Sequence, residues 1–169
     1  MLLAELAVDT DDMFLDIGAG VGNVVAQVAL GTSAYLSIGI ELRTDIHALG
    51  TRMMAESAYA ARQRERTLFA CRNVVDIALS REKPCANATI VLWNNLLFEQ
   101  SVIEHVKDQL CGMAMIRFLV SSMNLCPIHR ASCSRGFCIG FELEKELQLP
   151  CSWKAGLLRV FVYKATVID

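Results

Sequence analysis

Asp16-Ile17-Gly18-Ala19-Gly20-Val21-Gly22 is the stretch that decides the fold, because three closely spaced glycines follow an apolar run of strand length. Glycines between a strand and a helix allow a ligand to approach the backbone, since a Cβ there would collide with the ligand or require a disfavoured φ. The fingerprint of nicotinamide enzymes would place its third glycine at position 23, where this chain has Asn23. The spacing G-x-G-x-G therefore indicates a cofactor loop of a different class.

Apolar runs of strand length alternate with longer helical patterns around this loop, which is typical of a parallel sheet packed between helices. The predicted strands are Met13–Ile17, Tyr35–Ile40, Thr67–Ala70, Thr89–Trp93, Ile116–Ser121, Phe141–Leu147 and Leu157–Thr166. The predicted helices are Gly22–Leu30, Thr44–Arg64 with Thr44 as its N-cap, and Ser101–Leu110. This order predicts an α/β fold with a seven-stranded, mostly parallel sheet that ends in an antiparallel pair.

Size and composition favour one domain over residues 1–169, because 54% of the residues are hydrophobic and supply a single core. The net charge of −2 provides no overall basic field, so a polyanionic partner must be met locally. Seven cysteines without a C-x-x-C pair predict reduced thiols in the cytosol or nucleus. We expect no export signal at Met1–Leu6 and no membrane span, since the apolar stretch Met113–Val120 is short and contains Arg117.

Two acidic residues lie where they could complete a cofactor site. Glu41 follows the second predicted strand, about twenty residues after the loop, where a carboxylate can accept both ribose hydroxyl hydrogens. Asp16 lies at the end of the first strand, where it could organise the loop or meet an ammonium group on the cofactor. The alternative is a tight strand-to-helix turn that has a surface acid nearby by coincidence.

Asn94-Asn95-Leu96-Leu97-Phe98 follows the fourth predicted strand, and the carboxyl ends of strands line the ligand crevice in such a sheet. The amide oxygen of Asn94 could accept a hydrogen bond from an attacking amine and orient its lone pair without transferring a proton. A lysine acceptor must first lose its proton, which apolar walls promote, and Phe98, Trp153 and Tyr163 could supply such walls. The alternative for Asn94 is an ordinary turn with asparagine at a helix N-cap.

Taken together, these motifs closely resemble the DOT-type (disruptor of telomeric silencing) histone H3 lysine methyltransferases, the non-SET class. The runs that carry the resemblance are Phe14-Leu15-Asp16-Ile17-Gly18-Ala19-Gly20-Val21-Gly22-Asn23-Val24-Val25, Asn94-Asn95-Leu96-Leu97-Phe98, Ser121-Ser122 with Cys126-Pro127-Ile128, and Ser152-Trp153 with Val162-Tyr163. The resemblance implies a Rossmann-like class I methyltransferase fold, S-adenosyl-L-methionine as cofactor, and a chromatin regulator of the nucleus. Its implied partner is histone H3 in nucleosomes, with nucleic acid contacted only through the nucleosome and no membrane involved.

The same resemblance implies roles for individual residues. The cofactor would be bound by Phe14, Asp16, Gly18, Ala19, Gly20, Gly22, Asn23 and Glu41. An ungapped reading places Arg72 and Asn73 where the family holds adenine, although the family commonly has Asp-Phe or a similar aromatic step there. Asn94 would be the active-site asparagine, and Phe98, Trp153 and Tyr163 would flank the lysine channel.

Other features of the chain leave alternatives open. The family carries a Tyr-Gly-Glu cofactor loop one helix upstream of the first strand, and we expect residues 1–169 to be a core truncated on that side, because the chain begins inside that helix at Met1–Leu6. A catalytically impaired binding module, or a methyltransferase for another nitrogen acceptor, is therefore an alternative. The basic residues Arg62, Arg64 and Arg66 alternate near a predicted helix end and are interpreted as a solvated face.

A group of possible metal ligands lies late in the chain. Cys126, His129, Cys133 and Cys138 are residue types that bind zinc, and they lie within thirteen residues. Their spacings match no standard finger or ribbon, and free thiols are common in buried positions. We therefore expect no metal at these residues.

Overall fold

A seven-stranded sheet organises the computed structural model, which describes residues 2–126, 136–150 and 156–166. The strands are β1 (Met13–Ile17), β2 (Leu36–Glu41), β3 (Thr67–Cys71), β4 (Ile90–Trp93), β5 (Phe118–Ser121), β6 (Phe141–Leu149) and β7 (Leu158–Ala165). The α-helices are α1 (Leu2–Glu5), α2 (Asn23–Gly31), α3 (Thr44–Glu56), α4 (Ala60–Arg66), α5 (Gln100–Cys111) and α6 (Gly136–Gly140), and short 3₁₀ turns cover Val74–Asp76 and Cys85–Asn87. Among the helices in these ranges, none is long and apolar enough to span a bilayer.

The strand order β3-β2-β1-β4-β5-β7-β6 confirms the predicted seven-stranded, mostly parallel sheet. Neighbouring strands from β3 to β5 run parallel, whereas β7 is antiparallel to both β5 and β6. Ile17 at the end of β1 pairs with Ile40 on one side and with Trp93 on the other. The chain order changes direction between β1 and β4, so the loops that follow these strands meet at a topological switch point, where such folds bind ligands.

Alternating residues of the central strands fill a core on each face of the sheet, as the period of two in a β-strand requires. One face buries Leu15 and Ile17 of β1 against α5, which supplies Ile103, Val106 and Leu110. The other face buries Phe14 of β1 with Leu6, Val28, Ile90, Val120 and Val162. The helices on both faces follow from this double burial, because a central strand of a parallel sheet needs an apolar cover on each side.

The region predicted as one helix over Thr44–Arg64 is two helices, α3 and α4, separated at Ser57–Tyr59. The hydroxyl of Ser57 accepts a hydrogen bond from the backbone N–H of Tyr59 at 3.1 Å, and this local turn competes with the helical bonding pattern. The predicted N-cap is also wrong, since Thr44 is the first helical residue and Arg43, at the cap, makes no side-chain capping bond. The bounds of the remaining predicted elements agree to within two residues.

The three arginines of α4 do not form one solvated face, which corrects part of that interpretation. Arg62 and Arg64 are exposed as predicted. Arg66 instead donates hydrogen bonds to the carbonyl oxygens of Ala29 at 2.9 Å and Thr32 at 3.2 Å, and to that of Ala34. Its guanidinium satisfies carbonyls at the end of α2 that lack helical partners, so its role is structural.

An ion pair between a buried carboxylate and a partly exposed arginine joins the entry of β1 to the entry of β5, at the end of the sheet opposite the switch point. Arg117 donates to Asp12 through Nε at 3.0 Å and through a terminal nitrogen at 2.6 Å, and Thr89 donates to the same carboxylate at 2.6 Å. Asp12 is 2% exposed. Burial acts to raise the pKa of Asp12, but hydrogen bonds from Arg117, Thr89 and the Asp9 backbone outweigh it and lower that pKa.

Replacing Arg117 with alanine is expected to lower the free energy of unfolding by about 2 kcal/mol near pH 7, because it leaves a buried carboxylate without its charged partner. The loss should shrink in acid, since a lowered Asp12 pKa means that the stabilisation disappears as the pH falls through it. Urea unfolding of both proteins at pH 7 and pH 3.5 measures this. Arg159→Ala, which removes an exposed pair with Glu146, is the control, and an equal loss in both variants would contradict the prediction.

Candidate functional site

The glycine loop between β1 and α2 has the backbone conformation that its glycines were predicted to provide. Gly18, Gly20 and Gly22 all have positive φ angles of 77°, 58° and 76°. A Cβ built on Gly20 would meet no atom of the described residues within 4 Å, so the loop faces open space there within that part of the chain. The backbone N–H groups of Gly18 and Ala19 both donate to the carbonyl of Ile40 at 2.9 Å, which anchors the loop to the end of β2.

Glu41, the last residue of β2, lies directly against this loop. Its Oε2 accepts a hydrogen bond from the Gly20 backbone N–H at 2.8 Å, and its Oε1 accepts one from the Arg43 backbone N–H at 2.9 Å. The residue is only 7% exposed. An ionised carboxylate has about four acceptor positions, so two remain for hydroxyl groups of a ligand. Glu41 is therefore fixed beside the loop, and its contact with the ribose stays a prediction.

Asp16 lies near Glu41 and is almost completely buried, with 3% of its surface exposed. Among the residues that the structure describes, none donates a hydrogen bond to its carboxyl group. Burial raises the pKa of Asp16 to about 7, and the negative charge of Glu41 adds to the effect. A cation placed beside Asp16 would reverse this shift, because an opposite charge favours the ionised form.

Asn94 and Asn95 follow β4 and each contacts one of two consecutive serines, the last residue of β5 and the residue after it. The hydroxyl of Ser122 donates to Asn94 Oδ1 at 2.9 Å, and the hydroxyl of Ser121 lies 3.1 Å from Asn95 Oδ1. The backbone N–H of Met123 also donates to Asn95 Oδ1 at 3.1 Å. Asn95 is fully buried and Asn94 is half-buried, so Asn95 fixes the backbone while Asn94 keeps a surface toward the crevice.

The alternative interpretation of Asn94 as a helix N-cap does not fit the structure. Helix α5 begins at Gln100, and the residue at its cap is Glu99. Asn94 lies at the start of an irregular turn that runs from the end of β4 to Glu99. Its side-chain oxygen accepts from Ser122 across the strand ends, not from the first turn of a helix. A role other than capping must account for this amide.

Phe98 joins the asparagine turn to the glycine loop. Two atoms of its ring lie 2.9 Å and 3.0 Å from the position that a Cβ on Gly18 would occupy. The ring also packs edge-on against Trp93, with centroids 5.8 Å apart. Only glycine allows this close approach at position 18, so the absence of a side chain there brings the β4 turn and the glycine loop into one crevice.

Tyr163 is packed in the core, and its place in the wall of a lysine channel stays a prediction. It is fully buried and packs edge-on against Phe137. Its hydroxyl donates to Asn124 Oδ1 at 3.1 Å and accepts from the Leu125 backbone N–H at 2.9 Å. Burial is the main cause that raises the pKa of Tyr163 to about 12, so the phenol holds this segment in its neutral form. Trp153, predicted as another wall, lies outside the described residues.

Arg72 and Asn73, predicted near adenine, follow β3 beside Glu41. The backbone N–H of Arg72 donates to the carbonyl of Glu41 at 3.0 Å. Its guanidinium pairs with Glu82, whose hydrogen bond is the main cause that raises the pKa of Arg72. Asn73 accepts from the Val75 backbone N–H at 3.3 Å and caps a 3₁₀ turn. Both side chains have structural partners, and adenine contact stays a prediction.

Two further predicted cofactor residues are not placed with the crevice. Phe14 is 1% exposed and lies in the core cluster on the α2 face, so it has no surface with which to contact a ligand. Asn23, the first residue of α2, is exposed and lines a cleft between α2 and α4 together with Gln27, Tyr59 and Arg62. Packing therefore explains Phe14, and a cofactor contact by Asn23 stays a prediction.

Asn95 and Ser122 are functional candidates that the sequence reasoning did not assign a role. The parallel pairing of Trp93 with Ser121 places two asparagines beside two serines at adjacent strand ends. Consecutive polar residues after two neighbouring buried strands were the available signal. Which hydroxyl meets which amide follows only from the register.

The possible metal ligands remain untested as a group. His129 and Cys133 lie outside the described residues, whereas Cys126 is buried and Cys138 is half-buried. Within the ranges that the structure describes, no three His, Cys, Asp or Glu side chains are grouped to hold a metal ion. The expectation that Cys126, His129, Cys133 and Cys138 hold no zinc therefore stays a prediction.

Comparisons with known proteins bear on both the fold and the family. The family model described as "Histone methylation protein DOT1" matches residues 1–135. The fold is similar to an RNA methyltransferase from Salinibacter ruber in complex with S-adenosyl-L-homocysteine, at 18% identity and a TM-score of 0.66, covering 99% of this chain and 90% of that one.

Two other solved structures show the same likeness. A SAM-dependent methyltransferase from Methanosarcina mazei has 11% identity and a TM-score of 0.66, covering 100% of this chain and 99% of that one. A putative tRNA (m1A22) methyltransferase from Streptococcus pneumoniae in complex with S-adenosyl-L-methionine has 13% identity and a TM-score of 0.64, covering 99% and 72%. These likenesses establish the predicted Rossmann-like α/β fold of class I methyltransferases.

Replacing Asp16 with asparagine is expected to remove a pH-dependent loss of stability. A carboxyl group with a raised pKa in the folded state stabilises the fold below its unfolded pKa, and this contribution is lost as the pH rises through about 7. Between pH 5 and pH 8 the wild type should therefore lose about 2–3 kcal/mol more unfolding free energy than Asp16→Asn. Urea unfolding at both pH values measures the difference. The exposed Asp11→Asn should behave as wild type, and an Asp16→Asn protein with the wild-type pH dependence would contradict the assignment.

Proposed function

The chain belongs to the histone methylation protein DOT1 family, and on that premise we propose that it transfers a methyl group from S-adenosylmethionine to a lysine of histone H3 in the nucleosome. The observation that carries the proposal is the contact of Phe98 with Gly18, because it joins a cofactor loop and an acceptor-side asparagine in one crevice. The strand order supports the same conclusion, since both segments follow strands that meet at the switch point.

The residues of the crevice suit S-adenosylmethionine. Gly20 presents bare backbone to open space, and Glu41 retains acceptor positions for the two ribose hydroxyls. The buried carboxyl of Asp16 suits the ammonium of the methionine moiety, which would hold it in the ionised form. When bound, the cofactor supplies a methyl group on a positively charged sulfur. The chain's own contribution is therefore to hold the cofactor by its ribose and its ammonium group.

On the acceptor side, Asn94 would orient the lysine amine. A carbonyl oxygen has two lone pairs, and the hydroxyl of Ser122 uses one of those on Asn94. The other can accept an N–H from the amine and so direct the nitrogen lone pair toward the methyl group. Leu96, Leu97 and Phe98 follow the two asparagines and make this turn apolar in composition. Apolar surroundings favour the neutral amine that transfer requires, because desolvation lowers a lysine pKa.

The proposed partner and compartment follow from family membership. The chain carries a net charge of −2, so it has no overall field that would concentrate it on nucleic acid. We expect contact with DNA only within the nucleosome, and a nuclear location.

Methyl transfer to recombinant nucleosomes, free histone H3 and free RNA tests the substrate class. Transfer to RNA alone would contradict the proposal.

Replacing Glu41 with alanine is expected to weaken binding of S-adenosylmethionine by roughly 1.5–3 kcal/mol, because the ribose loses a charged acceptor. Isothermal titration with wild type and variant measures the change, and Glu56→Ala serves as the control because Glu56 is exposed at the end of α3. Glu41→Gln keeps an oxygen acceptor without the charge, so its affinity for the cofactor should lie between those of wild type and Glu41→Ala. Equal affinities for wild type and Glu41→Ala would remove Glu41 from the cofactor site.

Replacing Asn94 with alanine is expected to lower kcat at least about tenfold and to leave cofactor affinity nearly unchanged, because its oxygen acts on the acceptor during transfer. Steady-state kinetics on nucleosomes and cofactor titration measure the two effects. Asn87→Ala is the matched control, since Asn87 precedes the opposite end of β4. A wild-type kcat in folded Asn94→Ala would exclude the proposed role.

A further inference from the structure

The role proposed for Asn94 requires its amide oxygen to stay within reach of the acceptor amine, because only the oxygen can accept an N–H. The side-chain torsions of an unrestrained asparagine allow the amide to leave that place. Function at this position therefore needs a second group that holds the amide at the strand ends.

Ser122 makes the contact that holds the Asn94 amide. Its hydroxyl donates to Asn94 Oδ1 at 2.9 Å, and Ser122 is 8% exposed, so little water competes for this bond. The backbone N–H of Ser122 lies 3.3 Å from the carbonyl of Trp93, which continues the pairing of β5 with β4 by one residue. The hydroxyl of Ser122 is thus held beside Asn94 by the pairing of the strands.

The neighbouring pair holds this donor in place. Asn95 is fully buried, and its Oδ1 accepts from the backbone N–H of Met123 at 3.1 Å and lies 3.1 Å from the hydroxyl of Ser121. The residues on both sides of Ser122 are therefore tied to the β4 turn that carries Asn94. The two asparagines therefore have different roles. Asn95 fixes the backbone, whereas the amide of Asn94 is hydrogen-bonded only to Ser122 among the described residues.

We propose that Ser122 is a positioning residue for methyl transfer, whose hydroxyl holds the Asn94 side chain at the strand ends and leaves the second lone pair of its oxygen for the acceptor amine. This inference rests on the proposed function of the crevice and extends it to a residue that acts through Asn94. A neutral hydrogen bond favours the held position of the amide by a factor of about 2–10.

A double-mutant cycle on kcat separates positioning from general destabilisation. Ser122→Ala should lower kcat about 2–10-fold at unchanged cofactor affinity, and Ser122→Thr, which keeps the hydroxyl, should restore most of it. In an Asn94→Ala background the same Ser122→Ala change should have no further effect on kcat. Ser37→Ala is the matched control, since Ser37 is a buried serine of β2 whose hydroxyl has no hydrogen-bond partner. Additive effects of Ser122→Ala and Asn94→Ala would overturn the proposal.

A second readout does not depend on turnover. The side-chain amide signals of Asn94 in an ¹⁵N spectrum, identified by their loss in Asn94→Ala, should shift and broaden in Ser122→Ala but not in Ser37→Ala. Unchanged signals in Ser122→Ala would overturn the proposal whatever the activity. A shift in a chain that methylates no nucleosome, histone or RNA would support the contact of Ser122 with Asn94 while refuting the proposed function.

Discussion

The hydrogen bond from the backbone N–H of Gly20 to the carboxylate of Glu41 is the interaction on which the rest of the crevice depends. Three residues of the glycine loop have positive φ angles, so the loop cannot continue either β1 or α2 and needs an external anchor. Glu41 supplies this anchor by accepting the hydrogen bond from Gly20 at 2.8 Å. The carbonyl of Ile40 adds two more, from the N–H groups of Gly18 and Ala19. The loop is thereby set at the height of the strand ends, with Gly20 facing open space.

The position of the loop determines what can pack on it from the next strand. With no Cβ at Gly18, the ring of Phe98 comes within contact distance of the loop, and the β4 turn that begins at Asn94 follows it. The hydroxyls of Ser121 and Ser122 then tie the same turn to the end of β5. Three adjacent strands, β1, β4 and β5, therefore contribute to one crevice, and each contribution depends on a specific small or polar residue at the strand end. A larger residue at position 18 would separate the two halves.

How much of this could be read from the sequence depends on whether a feature is local. The number and positions of the strands were predictable because each central strand is a buried apolar run, and the loop with Glu41 was predictable because both lie at fixed distances after such runs. The break at Ser57 was missed because helical periodicity continues across it, while a single side-chain bond ends the helix. Burial of Tyr163 was missed for another reason. An aromatic residue on β7 suits a channel wall or a core equally well until the packing of α6 against it is known.

The same limit applied to side-chain pairs across strands. A polar residue after a strand can be placed at the crevice from sequence, but its partner depends on the register of the strands. With a register shift of one residue, Asn94 would face Ser121 in place of Ser122. Arg117 shows the converse case, since it was noted only as a charge in an apolar stretch. In the structure that charge lies 2.6 Å from the buried Asp12, far along the chain. The sequence showed which side chains are polar or charged, whereas their partners depend on tertiary contacts.

The placement of Asp16 and Glu41 shows that the crevice is arranged for a ligand at a cost to the empty fold. Two carboxyl groups lie buried close enough for one to raise the pKa of the other, and burial alone already disfavours the charge on Asp16. Near neutral pH, Asp16 therefore exchanges a proton with solvent in the ligand-free protein. A cationic group bound beside it would displace that proton and convert an unfavourable buried acid into a compensated ion pair. Discrimination for a cationic ligand then comes from electrostatics that the fold already carries, because a neutral ligand in the same place would leave the carboxyl uncompensated.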